Sequence, residues 1–219
     1  MIGVVLDEKK ILAKLPEIAR LKKKFGMRVF VDDAHGIGVM GKNGRGTAEH
    51  FGLDNEVDVV MGTFSKSFAG LGGFVAGEER VISYIKHHAR QLIFAASMTP
   101  ASVAAVSKSL DLIRAEPEHL GNLRRVVKLV RGEFQRVGFP VPDDETPIIY
   151  VKVGEDIQAF QFWKDLLELG VYTNPVITPG VPQGQSGVRA SFMAIHTESD
   201  IARVIEAFEK LGRKYGLIK

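Results

Sequence analysis

A chain of 219 residues can form one to two domains at roughly 150 residues each, and a composition of 45% hydrophobic and 25% charged residues excludes a disordered or fibrous protein. The 29 bases and 26 acids leave a net charge of +3 spread without a basic block, which argues against a nucleic-acid partner. No cysteine is present, so disulfides, thiol nucleophiles and thiolate metal sites are excluded, and no apolar run approaches the roughly 18 residues of a membrane-spanning helix. Residues 1–10 do not read as a signal peptide, and the expectation is a soluble, unprocessed, cytoplasmic protein.

Ile11, Leu12, Leu15, Ile18, Ala19 and Leu21 recur at helical spacing among lysines and arginines, which predicts an amphipathic helix over 11–24 stopped by Gly26. Arg28-Val29-Phe30-Val31 reads as a short buried strand ending in Asp32-Asp33. Gly36, Gly38, Gly41, Gly44 and Gly46 then rule out regular structure. Strands are predicted over 57–63 and 73–77, with the polar turn Phe64-Ser65-Lys66-Ser67 leaving the first of them. Helices are predicted over 78–92, 100–115 and 117–137, and two prolines in 139–144 mark a break. Beyond it come strand 148–153, helix 158–169, strands 171–173 and 188–193, and a closing helix 197–215 that opens on a capping-box pattern, Thr197-Glu198-Ser199-Asp200. The expected organisation is α/β, with a soft boundary that separates 1–115 from a small α+β domain at 116–219.

Two motifs invite chemistry that their context does not support. Gly36-Ile37-Gly38-Val39-Met40-Gly41 matches G-x-G-x-x-G, yet the dinucleotide fingerprint needs its last glycine to open a helix, and Lys-Asn-Gly-Arg-Gly follows here. Ser83-Tyr84-Ile85-Lys86 is formally S-x-x-K, but it lacks the companion motifs of a serine acyl enzyme and reads as the outer side of a helix. His87-His88 lacks the spacing of a metal site, and His50, His119 and His196 stand alone, so no metal is expected.

A third grouping makes one chemical sense. Asp32 and His35 follow a strand at the end where open α/β sheets place ligand groups. Lys66 follows another strand, and burial there would disfavour its ammonium, as Schiff-base chemistry requires. Thr63, Ser65 and Ser67, with the amides of their turn, offer neutral donors for a phosphate. Each of these residues also has a plainer structural reading. Together they describe a pocket for pyridoxal 5'-phosphate, in which a carboxylate keeps the pyridine nitrogen protonated so that the ring can accept electrons.

Val31-Asp32-Asp33-Ala34-His35-Gly36-Ile37-Gly38 with Gly44-Arg45-Gly46, then Gly62-Thr63-Phe64-Ser65-Lys66-Ser67 with Gly72-Gly73, resembles the α-oxoamine synthase family of fold-type I pyridoxal-phosphate enzymes. The run 93–100 and the segment from Pro179-Gly180-Val181-Pro182 through Val188-Arg189-Ala190-Ser191 to His196-Thr197 continue the resemblance over nearly the whole chain. It implies a partial large cofactor domain followed by the small C-terminal domain. It also implies decarboxylative condensation of an amino acid with an acyl-CoA to an α-amino ketone. Lys66 would carry the cofactor and shuttle the α-proton, Asp32 would bind the pyridine nitrogen, His35 the phenolic oxygen and Thr63 the phosphate. Arg189 would pair with the substrate carboxylate, a task suited to a planar, always-charged fork. Ser97 or Thr99 would lie near the phosphate of a partner subunit, since sites in this family form across a homodimer interface.

The resemblance also has departures. The family carries a Ser-Met-Asp-Gly-Asp-like segment where this chain has Val5-Leu6-Asp7-Glu8-Lys9-Lys10, and Ala95 and Ala96 stand where some relatives carry hydroxyls. The family's chains are about twice as long, so the sequence is expected to be the C-terminal half of such an enzyme, weak in cofactor binding and inactive alone. The segments Phe64-Ser65-Lys66-Ser67-Phe68 and Leu71-Gly72-Gly73-Phe74 point towards a palmitoyltransferase-like member. Another fold-type I reaction, such as transamination, and a non-catalytic role remain as alternatives.

Overall fold

In the computed structural model, which describes residues 14–219, α1 runs Leu15–Phe25 and ends on Gly26 in the left-handed conformation, as the glycine predicts. Pro16 occupies the first turn, where a missing N–H costs nothing. Ile11 and Leu12 lie outside the described residues. β1 (Phe30–Asp32) starts later than the apolar run suggests, because Asp58 takes the Val29 N–H at 2.7 Å and the Arg28 guanidinium at 3.0 Å.

β1 pairs in parallel with β2 (Val59–Thr63), Asp32 lying beside Met61, and β3 (Gly73–Gly77) returns antiparallel to β2, giving the order β1-β2-β3. The strands are less buried than expected: Phe30 is 59% exposed and β3 is mostly exposed. The apolar packing recorded here is a small cluster of Leu15, Val29 and Ala48 with Ile18, Val31 and Phe51 around it, too few residues to enclose the sheet. Ala48 and Phe51 belong to α2 (Thr47–Phe51), a five-residue helix that the glycine-rich surroundings conceal in the sequence. A single helix expected over 78–92 is two, α3 (Glu79–His88) and α4 (Arg90–Ile93), because Ala89 takes an extended backbone. α5 (Pro100–Ala115) has the predicted bounds, with Pro100 at its start and the Thr99 hydroxyl accepting from the Ser102 N–H at 3.3 Å.

The described residues divide into two compact units, the first ending at Leu120 and the second beginning at Gly121. The second contains most of α6 (Glu118–Arg136), β4 (Ile148–Gly154), α7 (Asp156–Glu168), β5 (Asn174–Val176), β6 (Ser186–Ser191) and α8 (Glu198–Lys214). Its sheet is antiparallel in the order β4-β6-β5. Alternate residues Ile149, Val151, Val188 and Ala190 face a core completed by the three helices, where Phe134, Phe162 and Phe208 are fully buried. The Phe208 ring lies 4.9 Å from Phe134 and 5.9 Å from Phe162. Arg131 joins α6 to the connection before β4 through a buried 2.5 Å ion pair with Asp144 and hydrogen bonds to the Thr146 and Ile148 carbonyls.

β5 forms at 174–176 rather than 171–173, although it contains Pro175. It is an edge strand, where a missing ladder donor is tolerated, while the Trp163 indole takes the Thr173 carbonyl at 2.9 Å. β6 likewise begins two residues earlier than the apolar pattern predicts. The capping box of α8 is present: the Thr197 hydroxyl accepts from the Asp200 N–H at 3.2 Å, and the Thr197 N–H donates to the Asp200 carboxylate at 2.9 Å. No helix among the described residues is long and apolar enough to cross a membrane.

Candidate functional site

Because β1 and β2 are parallel neighbours, their last residues, Asp32 and Thr63, emerge at the same edge of the sheet. The two consecutive aspartates then part. Asp33 is 5% exposed and accepts the Thr47 N–H at 2.7 Å and the Thr47 hydroxyl at 2.6 Å, so it anchors the far end of the glycine-rich loop. Burial pushes the Asp33 carboxyl up, against the opposing pull of these Thr47 bonds. Asp32 is exposed and accepts the nearby Ala34 N–H at 3.1 Å. Of the two, Asp33 is committed to Thr47 and Asp32 is the one exposed at the strand end. His35 is exposed in the turn that follows.

The glycines of this loop make room for side chains. A Cβ on Gly36 or Gly46 would stand 2.0 or 2.1 Å from the Asp33 carboxylate oxygens, and one on Gly38 would stand 2.4 Å from the Ser67 Cβ. Glu49 braces the next stretch, accepting the Asn43 and Arg45 N–H groups at 3.0 Å each. The G-x-G-x-x-G decoy is thus accounted for by close approach of protein atoms. Sequence reasoning missed Asp33 and Glu49 as anchors, and the cluster of glycines was the signal that something passes close by.

Lys66 lies in the turn from β2 to β3. The Phe64 N–H returns to the Gly72 carbonyl at 2.9 Å and the Gly70 N–H to the Phe64 carbonyl at 2.7 Å, so the turn arches away from the strand. In consequence Lys66 is exposed, as are Ser65 and Ser67, which corrects the expectation of a lysine desolvated by its strand. The Thr63 and Ser65 hydroxyls lie 2.9 Å apart beside it. Phe68 turns inward at 6% exposure and packs edge-on to Phe64 and Phe74, at centroid distances of 5.5 and 6.4 Å. Phe64 also stacks on Phe74 at 5.6 Å, so the three rings pack the turn.

Ser97 and Thr99 are exposed in the segment before α5, where the Thr99 hydroxyl also meets the Ser102 hydroxyl at 3.0 Å. The expected departure at 5–10 lies outside the described residues. In the second unit, Arg189 stands in the middle of β6 on the sheet face opposite the core, in register with Tyr150 of β4 and Asn174 of β5. Its Nε is buried and has no hydrogen-bond partner among the described residues. A guanidinium nitrogen left in that state calls for an acceptor, and a carboxylate satisfies it best. The Tyr150 hydroxyl donates to the Gln185 carbonyl, and burial pushes it up to about 12.

The donor set fits a phosphorylated pyridine aldehyde: an exposed carboxylate, an imidazole, a primary amine and paired hydroxyls at one sheet edge. Among the described residues no cluster of three or more histidines, aspartates or glutamates is placed to hold a metal ion.

Residues 1–208 match the family described as aminotransferase class I and II. The chain is 45% identical to a serine palmitoyltransferase of Bacteriovorax stolpii over 197 residues, which is 90% of this chain and 47% of that one. It is 39% identical to an 8-amino-7-oxononanoate synthase of Thermosipho melanesiensis, over 94% of this chain and 53% of that one. A solved structure of serine palmitoyltransferase (SPT) with PLP as internal aldimine superposes with a TM-score of 0.90 at 33% identity, over 98% of this chain and 55% of that one. The chain spans about half the length of the curated relatives it matches.

Proposed function

Because the chain belongs to the aminotransferase class I and II family, we propose that it is a pyridoxal 5'-phosphate-binding portion of an α-oxoamine synthase, an acyltransferase that condenses an amino acid with an acyl-CoA, with loss of carbon dioxide, to an α-amino ketone. One observation carries this reading: Asp32 ends one strand, Thr63 ends its parallel neighbour, and Lys66 stands exposed in the turn that follows. The names of the relatives, serine palmitoyltransferase and 8-amino-7-oxononanoate synthase, support it.

Pyridoxal phosphate, when bound, supplies an electron sink that stabilises negative charge at the α-carbon of the amino acid. The residues of this chain do the rest. The Asp32 carboxylate would hold the proton on the ring nitrogen, and His35 would hydrogen-bond the phenolic oxygen. The Thr63 hydroxyl, 2.9 Å from that of Ser65, donates to the phosphate. The Lys66 Nζ would be the group that tethers the cofactor and serves as the base for the α-proton. In the second unit the Arg189 guanidinium, whose Nε has no partner among the described residues, would suit a substrate carboxylate, as the family resemblance implies.

The chain acts as a homodimer in this reading, with Ser97 and Thr99 directed at the partner's phosphate. Leu92, Ile93 and Phe94 support it: they lie just before those hydroxyls, and Phe94 is 83% exposed, an apolar surface that association would cover. A long-chain acyl-CoA is the preferred donor, on the strength of the serine palmitoyltransferase relatives alone.

The test is reconstitution with pyridoxal phosphate followed by product analysis. The expected result is a weak visible absorbance band that Lys66→Ala abolishes, without turnover by this half alone; release of carbon dioxide and a ketone from an amino acid and an acyl-CoA would show instead that the chain is active by itself. Transfer of the amino group instead would make the protein an aminotransferase. Absence of the band would leave a non-catalytic role.

A further inference from the structure

Ser67 lies next to Lys66, yet its hydroxyl faces away from the lysine's own strand and donates to the Ile37 carbonyl at 2.8 Å, thirty residues earlier in the chain. The approach is close enough that position 38 must lack a side chain. A Cβ there would stand 2.4 Å from the Ser67 Cβ and 2.5 Å from its Oγ, and Gly38 also holds a φ of +80° that other residues avoid. Gly38 is in turn fixed by its own N–H, which donates to the Gly44 carbonyl at 2.7 Å. The loop that follows Asp32 and His35 is therefore held by Asp33 on Thr47 and by Glu49 on Asn43 and Arg45 in its far half, and by Ser67 at Ile37 in its near half. On the other side of the contact, Phe68 is buried and the Lys66 carbonyl accepts the Ala69 N–H at 3.0 Å, so the turn has little freedom of its own.

We propose that Ser67 and Gly38 form a clasp that sets the position of Lys66 relative to the loop carrying Asp32 and His35. The Ser67 hydroxyl is committed to the Ile37 carbonyl, which corrects the expectation that Ser67 joins Thr63 and Ser65 as a phosphate donor; Ser67 is instead a positioning residue that acts through the backbone it joins. The inference rests on the cofactor reading above, because it gives the clasp a reason to exist. A lysine tether and a ring-nitrogen carboxylate must suit one small rigid ring, and they come from segments about thirty residues apart in sequence. β1–β2 pairing sets Asp32 beside Met61 but ends at Thr63, before the turn that carries Lys66, and the Ser67 bond ties that turn to the 36–46 loop.

The experiment compares the parent chain with Ser67→Ala by two readouts. The first uses no cofactor: amide hydrogen exchange followed by mass spectrometry over peptides covering 36–46 and 64–72. The second is the fraction of Lys66 carrying a pyridoxyl label after incubation with limiting pyridoxal phosphate and reduction with borohydride. Loss of the clasp is expected to speed exchange in both segments together and to lower labelling at Lys66 about fivefold, the effect of one hydrogen bond. Labelling of other lysines and the far-ultraviolet circular dichroism spectrum should be unchanged. Unchanged exchange in either segment, or faster exchange with full labelling of Lys66, overturns the proposal. Gly38→Ala tests the same contact from the other side and is expected to reproduce both effects. A parent chain whose Lys66 is labelled no better than its other lysines refutes the cofactor reading instead, and the exchange arm then decides whether the two loops are coupled at all.

Discussion

The two units of this chain are built to different standards of enclosure. In the second, three helices close over one face of a three-stranded sheet, and Phe134, Phe162 and Phe208 meet there with no exposure. In the first, the sheet is flanked by a small cluster around Leu15, Val29 and Ala48, while Leu71, Leu92, Ile93 and Phe94 face outward. Most of the residues with chemical promise belong to the less enclosed unit, where order comes from polar anchors such as Asp33, Glu49, Asp58 and Ser67 rather than from a core. Arg189 is the exception: it stands on the open face of the well-packed unit, held by strands on both sides. Stability and ligand-facing chemistry are thus separated here, and each unit should respond to a different kind of substitution.

The largest effect is expected from Phe208→Ala, which leaves a cavity among three rings and should cost about 3–5 kcal/mol. Urea unfolding followed by the fluorescence of Trp163, the single tryptophan of the sequence, reports the second unit. A loss under 1 kcal/mol would contradict the description of that core. Asp33→Ala should cost about 1–3 kcal/mol in the first unit, because it strands the Thr47 N–H and hydroxyl. Its signature is faster amide exchange over 36–47 with an unchanged Trp163 transition. If that transition shifts as well, the contrast between the units fails.

Asp58 offers a test in pH. Burial alone would raise it, but the Val29 N–H, Lys22 and Arg28 together hold its carboxyl down at about 2. A carboxylate depressed in the folded state contributes stability above its ordinary value of 3.8 and loses it as pH falls through about 2. Asp58→Asn should therefore cost about 1 kcal/mol at pH 7, and the difference between the two proteins should vanish on acidification across that window. A difference that persists below pH 2 would assign the effect to shape rather than charge. The smallest change in stability is expected for Phe94→Ser, within about 0.5 kcal/mol, since the ring is 83% exposed. Sedimentation should show weakened self-association, and a large drop in melting temperature would mean that the ring is packed within the chain.

Several elements were legible because their signals are local. Pro100 and Thr99 mark the start of α5, Gly26 ends α1, and Thr197 with Asp200 opens α8, each through bonds spanning a few residues. Lys66 and Asp32 drew notice for a different reason, since few chemistries ask for an amine and a carboxylate after neighbouring strands, whereas Arg189, in the middle of β6, came only from the family resemblance. What escaped depended on distance in the chain. α2 depends on Asp33 fourteen residues back, and β5 shifted onto Pro175 because its edge position removes the demand for a donor. The exposure of Lys66 depends on the path of a turn that no side-chain pattern records.

By itself the sequence determined the alternation of strands and helices, the loop that only glycines can follow, and the set of chemical groups, because these follow from periodicity, allowed backbone angles and side-chain identity. The tertiary structure decided which of two adjacent aspartates faces outward, why Gly36, Gly38 and Gly46 are needed, and that Arg189 keeps a buried nitrogen without an acceptor among the described residues. These outcomes depend on which atoms of distant residues come to share one small volume, and packing in three dimensions settles that.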